Sequence, residues 1–376
     1  MRIDSLTFLR FAAAFIVLVF HYGAATDLAV SFSPFIVAGP PMVTFFFTLS
    51  GFVMLVSHYK KHNQSLRIFY VARAARILPI YLVALFFTAS LVYGYGINDI
   101  YSLFLSTIMM QAWISPYPVA MNTPGWSLSV EVFFYLNFPL ILYVIRKYEP
   151  RSSSLMLFSL ALYLVTQIAL SYLMRPPFFQ GYPSFSHDLV YYFPLSHLCS
   201  FIMGITGGLL YLRNPGHFGK TGIRSYIVLI AGFYLTYYLL QNPHILQNLI
   251  EAPLAYGSSF YTWLALILIL CVAYASNGAT RFLASRPMVF LGDISLSVYI
   301  LQKPVHLVYE EHIAPVLGLG DNGNFYAFCA ILIGISCITF LVIEKRGSKM
   351  IFYINKWLSS RWPAKTKNNE VELSGQ

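Results

Sequence analysis

Charged side chains are scarce in this sequence. Only 10% of its 376 residues are Asp, Glu, Lys or Arg, and 58% are hydrophobic, where soluble domains sit near a quarter and a half. With 24 basic and 14 acidic groups the chain cannot cover a water-facing surface of its size, so a soluble globule is excluded. Disorder and coiled coils go with it, because they draw on charge-rich or strictly periodic sequence. Cysteine is scarce too. Cys199, Cys271, Cys329 and Cys337 stand singly in apolar runs without C-x-x-C spacing, which argues against a disulfide framework or a zinc site. Also lacking are metal-ligand spacings, a phosphate-binding glycine loop, a G-x-S-x-G elbow, a nucleic-acid module and an internal repeat. What fills the chain is apolar and aromatic: mean hydropathy is +0.65, with 32 Phe, 28 Tyr and 5 Trp. The composition is that of an all-α polytopic membrane protein, and its net charge of +10 then bears on orientation and lipid headgroups rather than nucleic acid.

Runs of roughly 17 to 25 mainly apolar residues mark bilayer-spanning helices. About ten are legible, near 8–26, 38–58, 77–95, 126–146, 154–174, 194–212, 226–241, 260–276, 288–309 and 325–343. The run Tyr101 to Trp113 is too short to cross and fits a re-entrant or interfacial helix. If the N-terminus is cytoplasmic, 22 of the 24 lysines and arginines fall on the cytoplasmic side, leaving only Arg175 and Lys303 opposite. This asymmetry predicts ten spans with both termini cytoplasmic. The apolar run after Arg2 resembles a cleavable signal but is read as an uncleaved first span. Residues 1–350 form one transmembrane domain, and 351–376 a short basic and polar cytoplasmic tail.

Ionisable groups inside spans are costly and mark functional candidates. Arg10 and His21 are eleven residues apart, so on a helix they share a face, within roughly 20° of three full turns, and lie about 16 Å apart along the axis. Two readings stand for His21, a hydrogen-bonded structural residue or a reactive one. Arg73 and Arg76 share a face just before Leu78-Pro79, at the start of the third span, and either bind phosphate or meet anionic lipid. Glu131, below Trp126 in the fourth span and on one face with Ser127, needs a cationic partner. It is either a structural ion pair or part of a site. Asp293 reads as a helix cap and Lys303 as a snorkelling residue near Tyr299 and Gln302. Acidic and tyrosine-rich outer loops are compatible with sugar stacking or an ordinary interfacial belt.

Five motifs stand in order: Arg10-x10-His21; Phe46-Phe47-Thr48-Leu49-Ser50-Gly51-Phe52; Arg73-Ala74-Ala75-Arg76 running into Leu78-Pro79-Ile80-Tyr81; Trp126-Ser127-Leu128-Ser129-Val130-Glu131; and Leu291-Gly292-Asp293 running into Ile294-Ser295-Leu296-Ser297-Val298-Tyr299. In this order they resemble the acyltransferase-3 family of integral-membrane acyltransferases, which modify polysaccharides, lipopolysaccharide O-antigens and some small glycosylated or hydroxylated compounds. The resemblance implies a donor, acyl-CoA and by family frequency acetyl-CoA, in the cytoplasm. It implies a saccharide or glycolipid hydroxyl as acceptor, a bacterial inner membrane as setting, and no bound cofactor or metal. Laid on these residues, it makes Arg10, Arg73 and Arg76 the acyl-CoA-binding set and His21 and Glu131 the catalytic pair. Trp126, Ser127, Tyr299 and Gln302 then bind the acceptor or shape its site. Gln302 stands where many members have histidine, and Arg346 where proline usually follows the glutamate near the last span, here Glu344. A basic residue often found before Arg73 is lacking as well. A transporter or flippase of a lipid-linked glycan is the rival from another class, and it needs no reactive histidine. Oligomeric state is not encoded.

Overall fold

Each apolar run read as a span is a helix in the computed structural model, which describes residues 3–31, 33, 39–61, 65–94, 96–214, 223–250, 252–347 and 349–353. In chain order they are α1 (Asp4–Tyr22), α2 (Gly39–His58), α3 (Leu66–Val92), α4 (Gly125–Tyr148), α5 (Ser152–Leu173), α6 (Leu198–Arg213), α7 (Ile223–Gln241), α8 (Thr262–Tyr274), α9 (Arg286–Val308) and α10 (Asp321–Thr339). Among the described residues eight helical stretches are long and apolar enough to cross a membrane, while Tyr226–Gln241 and Thr262–Tyr274 are apolar but shorter. No strand occurs among the described residues. The protein is thus an all-α, multi-pass membrane protein. The proposed tail lies almost wholly outside the described residues, as do Arg2, Lys220 and Glu251.

Two boundaries differ from the sequence reading. α3 begins at Leu66, so Arg73 and Arg76 lie inside the helix rather than ahead of it. Hydropathy alone places the start after them because their charge lowers the local average, although both face a cavity rather than lipid. α9 begins after Ser285, with proline in its first turn where the missing N–H is not needed. Asp293 therefore sits two turns inside and is not the cap.

Close backbone approach organises the bundle. A Cβ on Gly51 would overlap the carbonyl oxygen of Phe201, and one on Gly204 would overlap that of Thr48. α2 and α6 thus cross at glycines, the small-residue packing that replaces the hydrophobic effect between helices in lipid. Gly292 meets the Thr7 carbonyl in the same way, bringing α9 against α1. Hydroxyls bind α5, α6 and α8 further: Ser159 and Thr206 are hydrogen-bonded at 2.5 Å, Ser200 and Thr262 at 2.6 Å, and Tyr163 Oη donates to the Phe260 carbonyl at 2.8 Å.

The short run before α4 is a helix, Ile97–Thr107, followed by a single turn at Gln111–Trp113. Tyr81 Oη donates to the Ser106 carbonyl at 2.6 Å, and Gln111 Nε2 donates to Tyr81 Oη at 3.1 Å and to the Gly125 carbonyl at 2.9 Å. Asn122 Nδ2 reaches the Ile300 carbonyl at 2.9 Å and Lys303 Nζ the Met121 carbonyl at 2.5 Å. Lys303 is therefore a staple that fixes the entrance of α4 on α9. A carbonyl within reach satisfies the ammonium without extension to the headgroups.

Gly51→Leu and Gly204→Leu should each destabilise the bundle by about 2 kcal/mol or more, since overpacking costs on that order. Gly334→Leu, where nothing lies within 4 Å of an added Cβ, should be neutral. Melting in detergent micelles checks the contrast.

Candidate active site

Three cavities follow one another along α1. The first, about 610 Å³, lies where α1, α3 and α9 begin and α2 ends. Arg10, Arg73, Arg76, Asp293, Glu344, Lys345 and Lys349 line it. The second, about 80 Å³, keeps the three arginines and adds Ser50, Ser127, Glu131, Tyr135 and Tyr299. The third, about 250 Å³, is lined from the opposite helix ends by His21, Thr123, Trp126, His187, Tyr191 and Tyr192, and again by Tyr299. α1 spans the set, with Arg10 at the first two cavities and His21 at the third. The shared face and 16 Å rise expected from their spacing describe this arrangement.

The second cavity is an electrostatic knot. Glu131 accepts hydrogen bonds from Tyr135 Oη, one turn on, and from Ser50 Oγ at 3.2 Å. Arg76 lies in the field of Glu131, Glu344 and Asp293. The Arg73 guanidinium sits 5.7 Å from the Phe69 ring centroid and 5.6 Å from that of Tyr135. Cation–π contacts of this kind hold it without consuming its donors, and its Nε makes no hydrogen bond among the described residues. A planar guanidinium with donors to spare suits bidentate binding of phosphate. Glu344 comes into the first cavity because α10 ends in a wider π-helical turn, Phe340–Glu344. There it is buried and accepts from Ser297 Oγ.

Between the second and third cavities stands Tyr299, the side chain that lines both. It is held by a 2.9 Å hydrogen bond to Ser127 Oγ and an edge contact with Phe46 at 5.7 Å between ring centroids. Trp126 packs against Tyr192, His197 and Phe47 at 5.0, 5.4 and 6.1 Å, forming an aromatic wall of the third cavity.

Most residues singled out in the sequence meet here, but not all together. Glu131 joins the arginines and His21 does not, so the two residues read as a catalytic pair line different cavities. Trp126 and Ser127, neighbours in sequence, likewise face different cavities. Gln302 is fully buried, donates to the Tyr299 carbonyl at 2.8 Å and lines none of the three. It supports the Tyr299 turn from behind. Sequence reading missed Lys345 and Lys349 as cavity residues, since both look like ordinary topogenic charge. It also missed Ser50 and Tyr135, although Ser50 stands within the Phe46–Phe52 motif and Tyr135 at i+4 from Glu131.

Glu131→Ala would leave the Tyr135 hydroxyl without its acceptor, the Ser50 hydroxyl with only the weak Met54 Sδ contact, and the guanidiniums less balanced. Breaking a buried charged network costs about 3 kcal/mol, so the variant should melt well below wild type, and Glu131→Gln, which keeps an acceptor, should lose less.

Comparisons with known proteins agree with this architecture. The acyltransferase-domain family profile matches residues 3–344. A curated relative, acyltransferase MdmB of Streptomyces mycarofaciens, is 32% identical over 166 residues, which cover 40% of this chain and 42% of that protein. The matched portion therefore spans less than half the length of that relative. No solved structure matches the chain significantly. With one profile running across all ten helices, the chain belongs to the acyltransferase-3 family of membrane acyltransferases.

Proposed function

We propose that this protein is a membrane O-acyltransferase that moves an acyl group, an acetyl group by family frequency, from cytoplasmic acyl-CoA to a hydroxyl of a cell-envelope saccharide such as lipopolysaccharide O-antigen or exopolysaccharide. The setting is a bacterial inner membrane with the first cavity facing the cytoplasm. The observation that carries the reading is the pair of chemically different cavities at opposite ends of the bundle, one cationic and one built of histidine and aromatic rings, joined by a narrow second cavity that meets the third at Tyr299.

Coenzyme A carries several phosphates on a long, thin arm. Arg10, Arg73 and Arg76, joined by Lys345 and Lys349, supply the counter-charge at the wide first cavity. The narrow second cavity suits the arm and its thioester rather than the nucleotide. Glu131 balances the guanidiniums, which lets them remain charged in a low-dielectric bundle. At the far side, neutral His21 takes the proton of the acceptor hydroxyl, or first carries the acyl group itself. The hydroxyl oxygen bonds to the acyl carbon as the carbon–sulfur bond breaks, and the proton leaves on the coenzyme A thiol. Trp126 and the tyrosines offer faces on which a sugar ring can stack.

Membranes carrying the wild type should transfer label from labelled acetyl-CoA to envelope glycan. His21→Ala, at equal insertion, should lose about 100-fold or more, the usual contribution of a positioned acid–base group. Arg76→Ala should instead raise the apparent KM for acetyl-CoA at least 10-fold. If the wild type transfers nothing while glycan export depends on it, the protein is a transporter and His21 is structural.

A further inference from the structure

The third cavity contains a second histidine that the sequence motifs do not point to. His187 comes from a short helix, Phe185–Tyr191, in the loop between α5 and α6, and lines the cavity together with His21. Its surroundings differ from those of His21. The ring contacts of His21 are aromatic, with Phe20 at 5.2 Å and Tyr22 at 5.8 Å. His187 has a carboxylate, with Asp188 Oδ1 3.6 Å from its Nδ1.

Both members of this pair are held. Asp188 Oδ2 accepts from Ser115 Oγ at 2.6 Å, and the Asp188 side chain is only 10% exposed. The His187 ring is caged by Tyr191 at 4.6 Å, Tyr182 at 5.1 Å and Tyr192 at 5.5 Å, which prevents it from swinging out. Its Nδ1 is buried and makes no hydrogen bond among the described residues. At 3.6 Å the carboxylate is just too far for one, as is common in catalytic contacts that tighten only around substrate. The two imidazole nitrogens lie on different edges of the ring, so Nδ1 turned to Asp188 leaves Nε2 for the cavity. A carboxylate at Nδ1 holds the proton there and leaves Nε2 as the lone-pair nitrogen. A histidine oriented by a carboxylate behind it, with its other nitrogen facing a cavity, is the arrangement of a general base.

We propose that His187, backed by Asp188, accepts the proton of the acceptor hydroxyl in the third cavity. This rests on the acyltransferase reading above and, of the two roles given there to His21, leaves it the second: His21, on the α1 path from the donor, carries the acyl group, and His187 faces it from the acceptor side as the base. In the step, the acceptor oxygen forms its bond to the acyl carbon while the bond from that carbon to the donor atom breaks. The hydroxyl proton goes to His187 Nε2 and from there to the departing donor atom, so no further reactant is consumed. Among the described residues the cavity's lining bears histidine, aromatic, threonine, proline and aliphatic side chains but no lysine, arginine, aspartate or glutamate. At about 250 Å³ it is of the size of a single ring, and this lining suits an uncharged, hydroxyl-bearing one.

The test uses the full-length protein in membranes, labelled acetyl-CoA as donor and the host's envelope glycan as acceptor. His187→Ala should lower the maximal rate about 100-fold, leave the apparent KM for acetyl-CoA unchanged, and recover part of its rate with added imidazole, which can occupy the vacated space. Asp188→Asn should lower the rate with little change in either KM. His187→Gln serves where the alanine variant does not fold. Full activity in either histidine variant, or a loss in His187→Ala that imidazole does not restore, would overturn the proposal. Failure of the wild type itself to transfer label would instead defeat the acyltransferase reading on which it stands.

Discussion

Three guanidinium groups converge inside an apolar helical bundle, and much else in this protein answers that fact. Each unbalanced charge at mid-bilayer costs about 3 kcal/mol even on the gentlest scales. Glu131, Asp293 and Glu344 are drawn in from three separate helical segments around Arg76. Tyr135 and Ser50 spend their hydroxyls on Glu131, and the end of α10 widens into a π turn to deliver Glu344. Positive charge is nevertheless in excess, because Lys345 and Lys349 stand at the same cavity. The balance is close enough for the helices to assemble and incomplete enough to attract an anion.

The cavities exist because the backbones around them are packed so closely elsewhere. Where Gly51 meets Gly204's helix and Gly292 meets Thr7, there is no space to give, and α1, α2, α6 and α9 are locked as one block. α3 and α4 complete the walls, with α4 anchored at one end by Lys303 and Asn122 and at the other by Arg146, whose guanidinium caps the carbonyls of His58, Tyr59 and Lys61. A rigid frame of this kind holds a charge cluster at fixed spacing, which flexible loops cannot do.

The ten helices were legible because lipid demands long apolar runs and leaves little room for ambiguity. Arg10 and His21 were legible as partners along one helix, since both lie on a single regular element and helical geometry fixes their relation. What failed were relations between elements. That Glu131 and His21 line different cavities depends on how α4 sits against α1, and no spacing within either helix encodes it. Asp293 and Lys303 were misread because a charged residue near an apparent helix boundary looks like a cap or a snorkel until its neighbours are known. His187 carried no signal at all: it stands in a loop, remote in sequence from every motif, and only the fold brings it to His21's cavity.

Polar cavities that enter a membrane from both faces carry a hazard of their own. If they merged, water would run between them, and a water file conducts protons. In this bundle the side chain common to the second and third linings, among the described residues, is Tyr299, clasped to Ser127. A phenol ring is wide enough to interrupt a file of water and has only two torsions to turn on. The consequence is bioenergetic: under the transfer proposed above, an acyl group would pass from one cavity to the other beside a single aromatic ring, without a continuous column of water for protons to follow.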